Sequence, residues 1–143
     1  MDDTKNSHIG LIIRDLHLEI AQYITGLLSP YRLAPEQHLL MSLLLEQEGL
    51  SQNDIALQLR KDKASVARML ASLESKGYIT KAVSDFDRRF VKVYVTPEGR
   101  KLAPIINEVG VKINDAIEKG LSMEEQQTLT ALLMKVQSSV RKS

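Results

Sequence analysis

The chain has 143 residues, 43% apolar and 26% charged, with a formal net charge of +1; this is about one domain of ordinary globular composition, with enough apolar residues for one core. It has no cysteine, which excludes disulfides, a thiolate metal site, a cysteine nucleophile and a thiol redox switch. It opens with Asp2 and Asp3 rather than a basic leader, and no apolar run approaches the roughly 18 residues of a membrane span, so a cytoplasmic protein is expected.

Residues 8–28 carry Ile9, Ile12, Ile13, Leu16, Ile20, Tyr23, Ile24 and Leu27 at helical spacing. Ser29-Pro30 ends that first helix, because proline cannot continue one. A second helix is expected over residues 35–49, from Pro35 at a favourable first position through HLLMSLLLEQ to Gly49. Ser51-Gln-Asn-Asp54 has the form of a capping box and opens a short third helix with Ile55, Ala56 and Leu59. Asp62 can cap a fourth, which Gly77 ends. Two strands, residues 78–84 and 90–96, flank a charged turn; in the second, Val91, Val93 and Val95 alternate with Phe90, Lys92, Tyr94 and Thr96, the period of a half-buried strand. Thr96-Pro97 opens a fifth helix with Leu102, Ile106, Val109, Ile113 and Ile117 in one stripe, and Ser122-x-x-Glu125 opens a sixth with Leu129, Leu132, Leu133, Val136 and Val140. The expected fold class is mainly α with a small β-hairpin.

The near-zero net charge hides a lopsided distribution. Residues 1–59 sum to −5, residues 60–101 hold eleven basic against five acidic side chains and sum to +6, and the remainder sums to zero. A local patch of one sign matters more to a partner than the total does. On the fourth helix Val66, Met69, Leu70 and Leu73 share an apolar face, while Ser65, Arg68 and Ser72 share the opposite, polar one. A short capped helix followed closely by such a helix is the layout of a helix-turn-helix. Its second helix can enter the DNA major groove, where Arg68 would read a base edge and Lys61 and Lys63 at the helix start would meet phosphates. A merely solvated helix face is the plainer alternative.

DKASVARMLASLESKGYITK followed by DFDRRFVKVYVTPEGRKL resembles the recognition helix and wing of the MarR family (multiple antibiotic resistance regulators). LAPEQHLLMSLL resembles the start of that family's second helix, and the likeness covers essentially the whole chain. The resemblance implies a homodimeric winged helix-turn-helix transcription factor, with a DNA-binding lobe over residues 35–100 and a dimerisation region formed by residues 1–30 and 101–143, all within a single domain over 1–143. It implies a repressor on a pseudo-palindromic double-stranded operator, with no cofactor and no metal. Base or phosphate contacts pass to Ser51, Lys61, Lys63, Ala64, Ser65 and Arg68. At the wing tip, Arg89 would enter the minor groove with Asp87 orienting it and Arg88 as a second basic contact. Where the family often has Thr before the proline of its second helix, this chain has Ala34, so a capping oxygen is missing and that helix start is expected to be looser by about 1 kcal/mol.

Members of that family are commonly released from DNA by small phenolic or anionic ligands or by thiol oxidation; the lack of cysteine removes the second route. The residues suspected of lining an effector pocket are His8, His17, Tyr23, Arg32, His38 and Met41, although Tyr23 and Met41 also fall on apolar faces that suit a core. Two rivals differ in class. An enzyme finds no HExxH spacing, phosphate loop or nucleophile motif, and a winged-helix module that binds protein rather than DNA leaves the +6 segment without a use.

Overall fold

The long apolar run at the N-terminus folds as α1 (Ile9–Leu28), and a 3-10 turn over Ser29–Tyr31 with its proline at the first turn closes it. The structure, a computed structural model, describes residues 8–83 and 91–143. The chain continues through α2 (Pro35–Glu46), β1 (Leu50–Ser51), α3 (Gln52–Leu59), α4 (Lys63–Ser75), β2 (Ile79–Val83), β3 (Val91–Val95), α5 (Pro97–Arg100), α6 (Ala103–Glu118) and α7 (Met123–Arg141). It divides into two compact units, Met1–Val109 and Gly110–Ser143.

In the first unit, Leu40, Met41 and Leu44 of α2, Ile55 of α3, Val66, Leu70 and Leu73 of α4 and Val93 of β3 are fully buried. With buried Gln37, Leu40, Met41 and Leu44 take the i, i+3, i+4 and i+7 positions of α2, and Val66, Leu70 and Leu73 take i, i+4 and i+7 of α4, so each of these two helices turns one stripe to the core. The sheet is antiparallel in the order β1-β3-β2. Ile79 pairs with Val95 and Val83 with Val91, while Leu50 and Ser51 pair with Val93 and Lys92. Val93 and Val95 point into the core as the alternation requires. The two-residue β1 is absent from the sequence reading, because a strand that short has no period to detect.

Three other differences have local causes. The second helix stops at Glu46, not Gly49, because Gln47 is already extended. The expected fifth helix is two: α5 covers one turn, the Leu102 amide turns back to the Gly99 carbonyl at 3.1 Å, and α6 restarts at Ala103. Pro104 has no amide to carry the ladder across that junction. Gly99 is held against the end of α4's connection to β2, where a Cβ would lie 2.1 Å from the Tyr78 carbonyl oxygen. At the start of α2 the missing Ala34 oxygen is offset in part. Gln37 Oε1 accepts the Ala34 amide at 3.1 Å, which is half of a capping box.

In the second unit, Ser122 and Glu125 form the expected capping box at the start of α7, with bonds of 3.1 and 2.9 Å. The backbone N–H of Ser122, with its side chain next, holds the Glu125 carboxyl below the usual range. None of the residues of α7 is buried within the chain, and Leu132, Leu133, Val136 and Val140 are exposed. On α1 only Leu28 is buried, and Ile9, Ile12, Leu16 and Tyr23 are exposed. Among the described residues, no helix is long and apolar enough to cross a membrane.

Candidate nucleic-acid interface

The α3–α4 pair is built from local polar contacts that the sequence specifies. Ser51 Oγ accepts the Asp54 amide at 3.0 Å and caps α3, and Asp54 returns a longer bond to the Ser51 amide at 3.4 Å. The helix ends with Arg60 in the left-handed region, φ 54°. The Lys61 amide reaches back to the Ala56 carbonyl at 3.0 Å and the Arg60 amide to Leu57, a Schellman-type closure in which an arginine occupies the position glycine usually takes. Two residues later Asp62 caps α4. The connection is therefore tight, and the basic side chains Arg60, Lys61 and Lys63 crowd the start of α4.

Asp62 does more than cap. Its two carboxylate oxygens accept the Ser65 amide at 2.7 Å and the Ser65 hydroxyl at 2.8 Å. The same hydroxyl accepts an N–H of Arg68 at 3.1 Å. Backbone and side-chain hydrogen bonds from Ser65, with a smaller contribution from the Arg68 charge, hold the Asp62 carboxyl below its ordinary range. The result is an ordered guanidinium on the solvent side of α4, tied one turn back to the helix start.

The other residues singled out by sequence fall in distinct settings. Lys63 and Ala64 are exposed in the first turn of α4. Lys61 donates to Glu36 of α2, so its ammonium is already partnered. A surface groove lined by Asn53, Ala56, Leu57, Lys61, Asp62 and Lys63 runs between the two helices. Ser72 departs from the expected polar face: it is half-buried and accepts from Gln37 Nε2 at 3.0 Å, a partner 35 residues away that no periodicity reveals. Asp87, Arg88 and Arg89 lie outside the described residues, as does the rest of 84–90. Glu36, Gln37 and Arg60 were missed by the sequence reading; only Gln37 had a signal there, standing three places after Ala34 as the last residue of a capping box does.

The suspected effector residues are dispersed. His8, His17, Tyr23 and Arg32 are exposed, the last with φ 55° at the end of the 3-10 turn. His38 is buried and donates from Nε2 to the Ile106 carbonyl at 3.0 Å, and Met41 is wholly enclosed. For Met41 the plainer reading, a core side chain, describes what the structure shows; Tyr23, offered the same alternative, is exposed, and His38 is buried with its Nε2 bonded rather than solvated.

Residues 33–91 match the family model described as MarR family. A Bacillus subtilis (strain 168) protein, the uncharacterized HTH-type transcriptional regulator YybA, is 26% identical over 106 residues, which is 74% of this chain and 71% of that protein. The transcriptional regulator HosA of Escherichia coli O157:H7 is 26% identical over 107 residues, 75% of this chain and 79% of its own. Among solved structures, the S. aureus MepR–DNA complex is similar with a TM-score of 0.88 at 28% identity, covering 92% of this chain and 98% of that one.

Proposed function

The chain belongs to the MarR family, and from that premise we propose that this DNA-binding transcriptional regulator acts as a homodimeric repressor on a pseudo-palindromic operator. The observation that carries the reading is the Asp62–Ser65–Arg68 relay, which presents a guanidinium on the outer face of a helix whose N-terminal turn also displays Lys63. Arg is the side chain shaped to bind guanine O6 and N7 together, and recognition helices read base edges in the major groove. Arg68 is therefore assigned to a base. Lys61, Lys63 and the Ser51 end of α3 are assigned to phosphates, with Ala64 and Ser65 packed against the groove wall. Arg89, oriented by Asp87 and assisted by Arg88, is assigned to the minor groove.

Residues 35–100 form the DNA-binding lobe in this reading, and residues 1–30 with 101–143 the dimerisation region. Exposed apolar rows on α1 and α7 support it, since monomeric proteins rarely leave such surface uncovered and obligate homodimers bury it. A two-fold dimer sets two recognition helices about one DNA turn, near 34 Å, apart. Release by a small phenolic or anionic acid completes the proposal. Such a ligand acts only by binding one spacing of the lobes better than another.

The test is a titration of palindromic and scrambled duplexes at several salt concentrations, with sedimentation to fix the stoichiometry. The proposal expects one dimer per palindrome and an affinity that falls steeply with salt. A flat salt response, or equal affinity for palindrome and scrambled duplex, would reject it. Weaker operator binding in the presence of salicylate-like acids is expected, and thermal stabilisation by them without release would reject the effector mechanism.

A further inference from the structure

Gln37 is a buried amide at the start of α2, 8% exposed, and its hydrogen bonds join the N-terminus of its own helix to the C-terminal end of α4. Its Oε1 accepts the Ala34 amide at 3.1 Å and Lys76 Nζ at 3.3 Å, and its Nε2 donates to Ser72 Oγ at 3.0 Å. Lys76 Nζ also donates to the Arg32 carbonyl. Ser72 and Lys76 belong to the C-terminal turn of α4 and its cap, whereas Arg32 closes the 3-10 turn that ends α1. One amide therefore ties the far end of the recognition helix to the corner where the N-terminal helix turns into α2.

A core leucine at this position would fill space without fixing direction. Hydrogen bonds specify angle as well as distance, and a fully satisfied buried polar group restricts its neighbours to one arrangement. We propose that Gln37 is a positioning residue that sets the angle of α4 against the α1–α2 corner, and thereby the separation at which the two recognition helices of the dimer engage their half-sites. This rests on the DNA-binding reading above and deepens it: Gln37 touches no DNA, but decides which half-site spacing is accepted. One base pair more or less moves a half-site by about 3.4 Å and about a tenth of a turn, so a fixed angle discriminates and a loose one does not.

The experiment compares the full-length protein with Gln37→Leu, Gln37→Glu and Ser72→Ala on three palindromes whose half-sites stand at the preferred separation, one base pair closer and one base pair farther. Gln37→Leu is expected to erase on the order of fivefold of the preference for the native separation, a coupling typical of residues in one hydrogen-bond network, while affinity for a scrambled duplex is unchanged. Gln37→Glu is expected to restore the preference, because a carboxylate still accepts from Ala34 and Lys76 and can accept the Ser72 hydroxyl proton. Should Gln37→Leu not fold, Ser72→Ala decides, with a partial loss of spacing preference expected. Unchanged spacing preference in Ser72→Ala, equal weakening on all duplexes, or failure of Gln37→Glu to recover would each overturn the proposal. If the unaltered protein binds no palindrome better than scrambled DNA, the DNA-binding reading itself falls and takes this one with it.

Discussion

The Arg68 guanidinium donates to the Ser65 hydroxyl at 3.1 Å, one turn back along α4, and so is restrained before any partner arrives. A free arginine side chain loses up to about 2 kcal/mol of rotamer entropy when it is fixed. Ser65→Ala removes the tether while the backbone amide of residue 65 can still be capped by Asp62. Operator affinity should fall by about 1 kcal/mol, with only a small loss of thermal stability from the missing hydroxyl bond to exposed Asp62. Arg68→Ala should cost about 1 to 3 kcal/mol at one base pair per half-site. Titration against single-base operator variants checks both; equal loss on every sequence would remove Arg68 from the base-reading role.

Asp62 gives a pH dependence whose sign follows from its depressed folded-state pKa. A carboxyl lowered on folding contributes stability that is present above its unfolded value and lost as pH falls through the folded one. Asp62→Asn keeps an acceptor for the Ser65 amide but cannot titrate. The drop in thermal midpoint below about pH 4 should therefore be shallower in the variant than in the unaltered protein. Parallel acid limbs would contradict the assignment.

Lys61 reaches Glu36 before it reaches any phosphate. Exposed pairs of this kind are worth about 0 to 1 kcal/mol, so the fold does not depend on it. Glu36→Gln should leave stability nearly unchanged, tighten binding to any duplex, and steepen the plot of log affinity against log salt by up to about 0.9 per subunit, because Lys61, divided between Glu36 and its phosphate in the unaltered protein, is then given wholly to the phosphate. Tighter binding with an unchanged slope would mean that only the long-range field had altered.

Gly99→Ala places a Cβ 2.1 Å from the Tyr78 carbonyl oxygen and 2.7 Å from Val95 Cγ1. Backbone must move, and a loss of about 1 to 3 kcal/mol is expected from overpacking, read as a shift of the urea midpoint. An unshifted midpoint would show that the α5 turn can relax away from the sheet.

What the sequence disclosed was what acts over three or four residues. The capping pairs Ser51–Asp54, Asp62–Ser65 and Ser122–Glu125 were all legible because donor and acceptor sit within one turn, and each sits where its spacing predicts. The apolar stripes of α2, α4 and β3 were legible for the same reason, as was Arg68 on the outer face. Contacts between distant segments were not. Ser72 looked solvent-facing by its phase on α4, and only the fold brings Gln37 to it. His38 and Met41 were candidates for a ligand, but both lie on the buried face of α2, and His38 spends its Nε2 on the distant Ile106 carbonyl. The break between α5 and α6 needed both the Gly99 contact with Tyr78 and the missing amide of Pro104.

Ser51 occupies two elements at once: it pairs with Lys92 as the last residue of β1 and caps α3 with its hydroxyl. The sheet and the helix-turn-helix thus share a residue that cannot be given to either alone. A β2–β3 hairpin grafted from another protein would inherit this joint, so its β3 strand would have to meet Leu50 and Ser51 in the native register. A graft one residue out of phase would disturb the start of α3 even with every helix sequence left untouched. Wing exchange between relatives is accordingly an alignment problem at residues 50–51 before it is one of loop length.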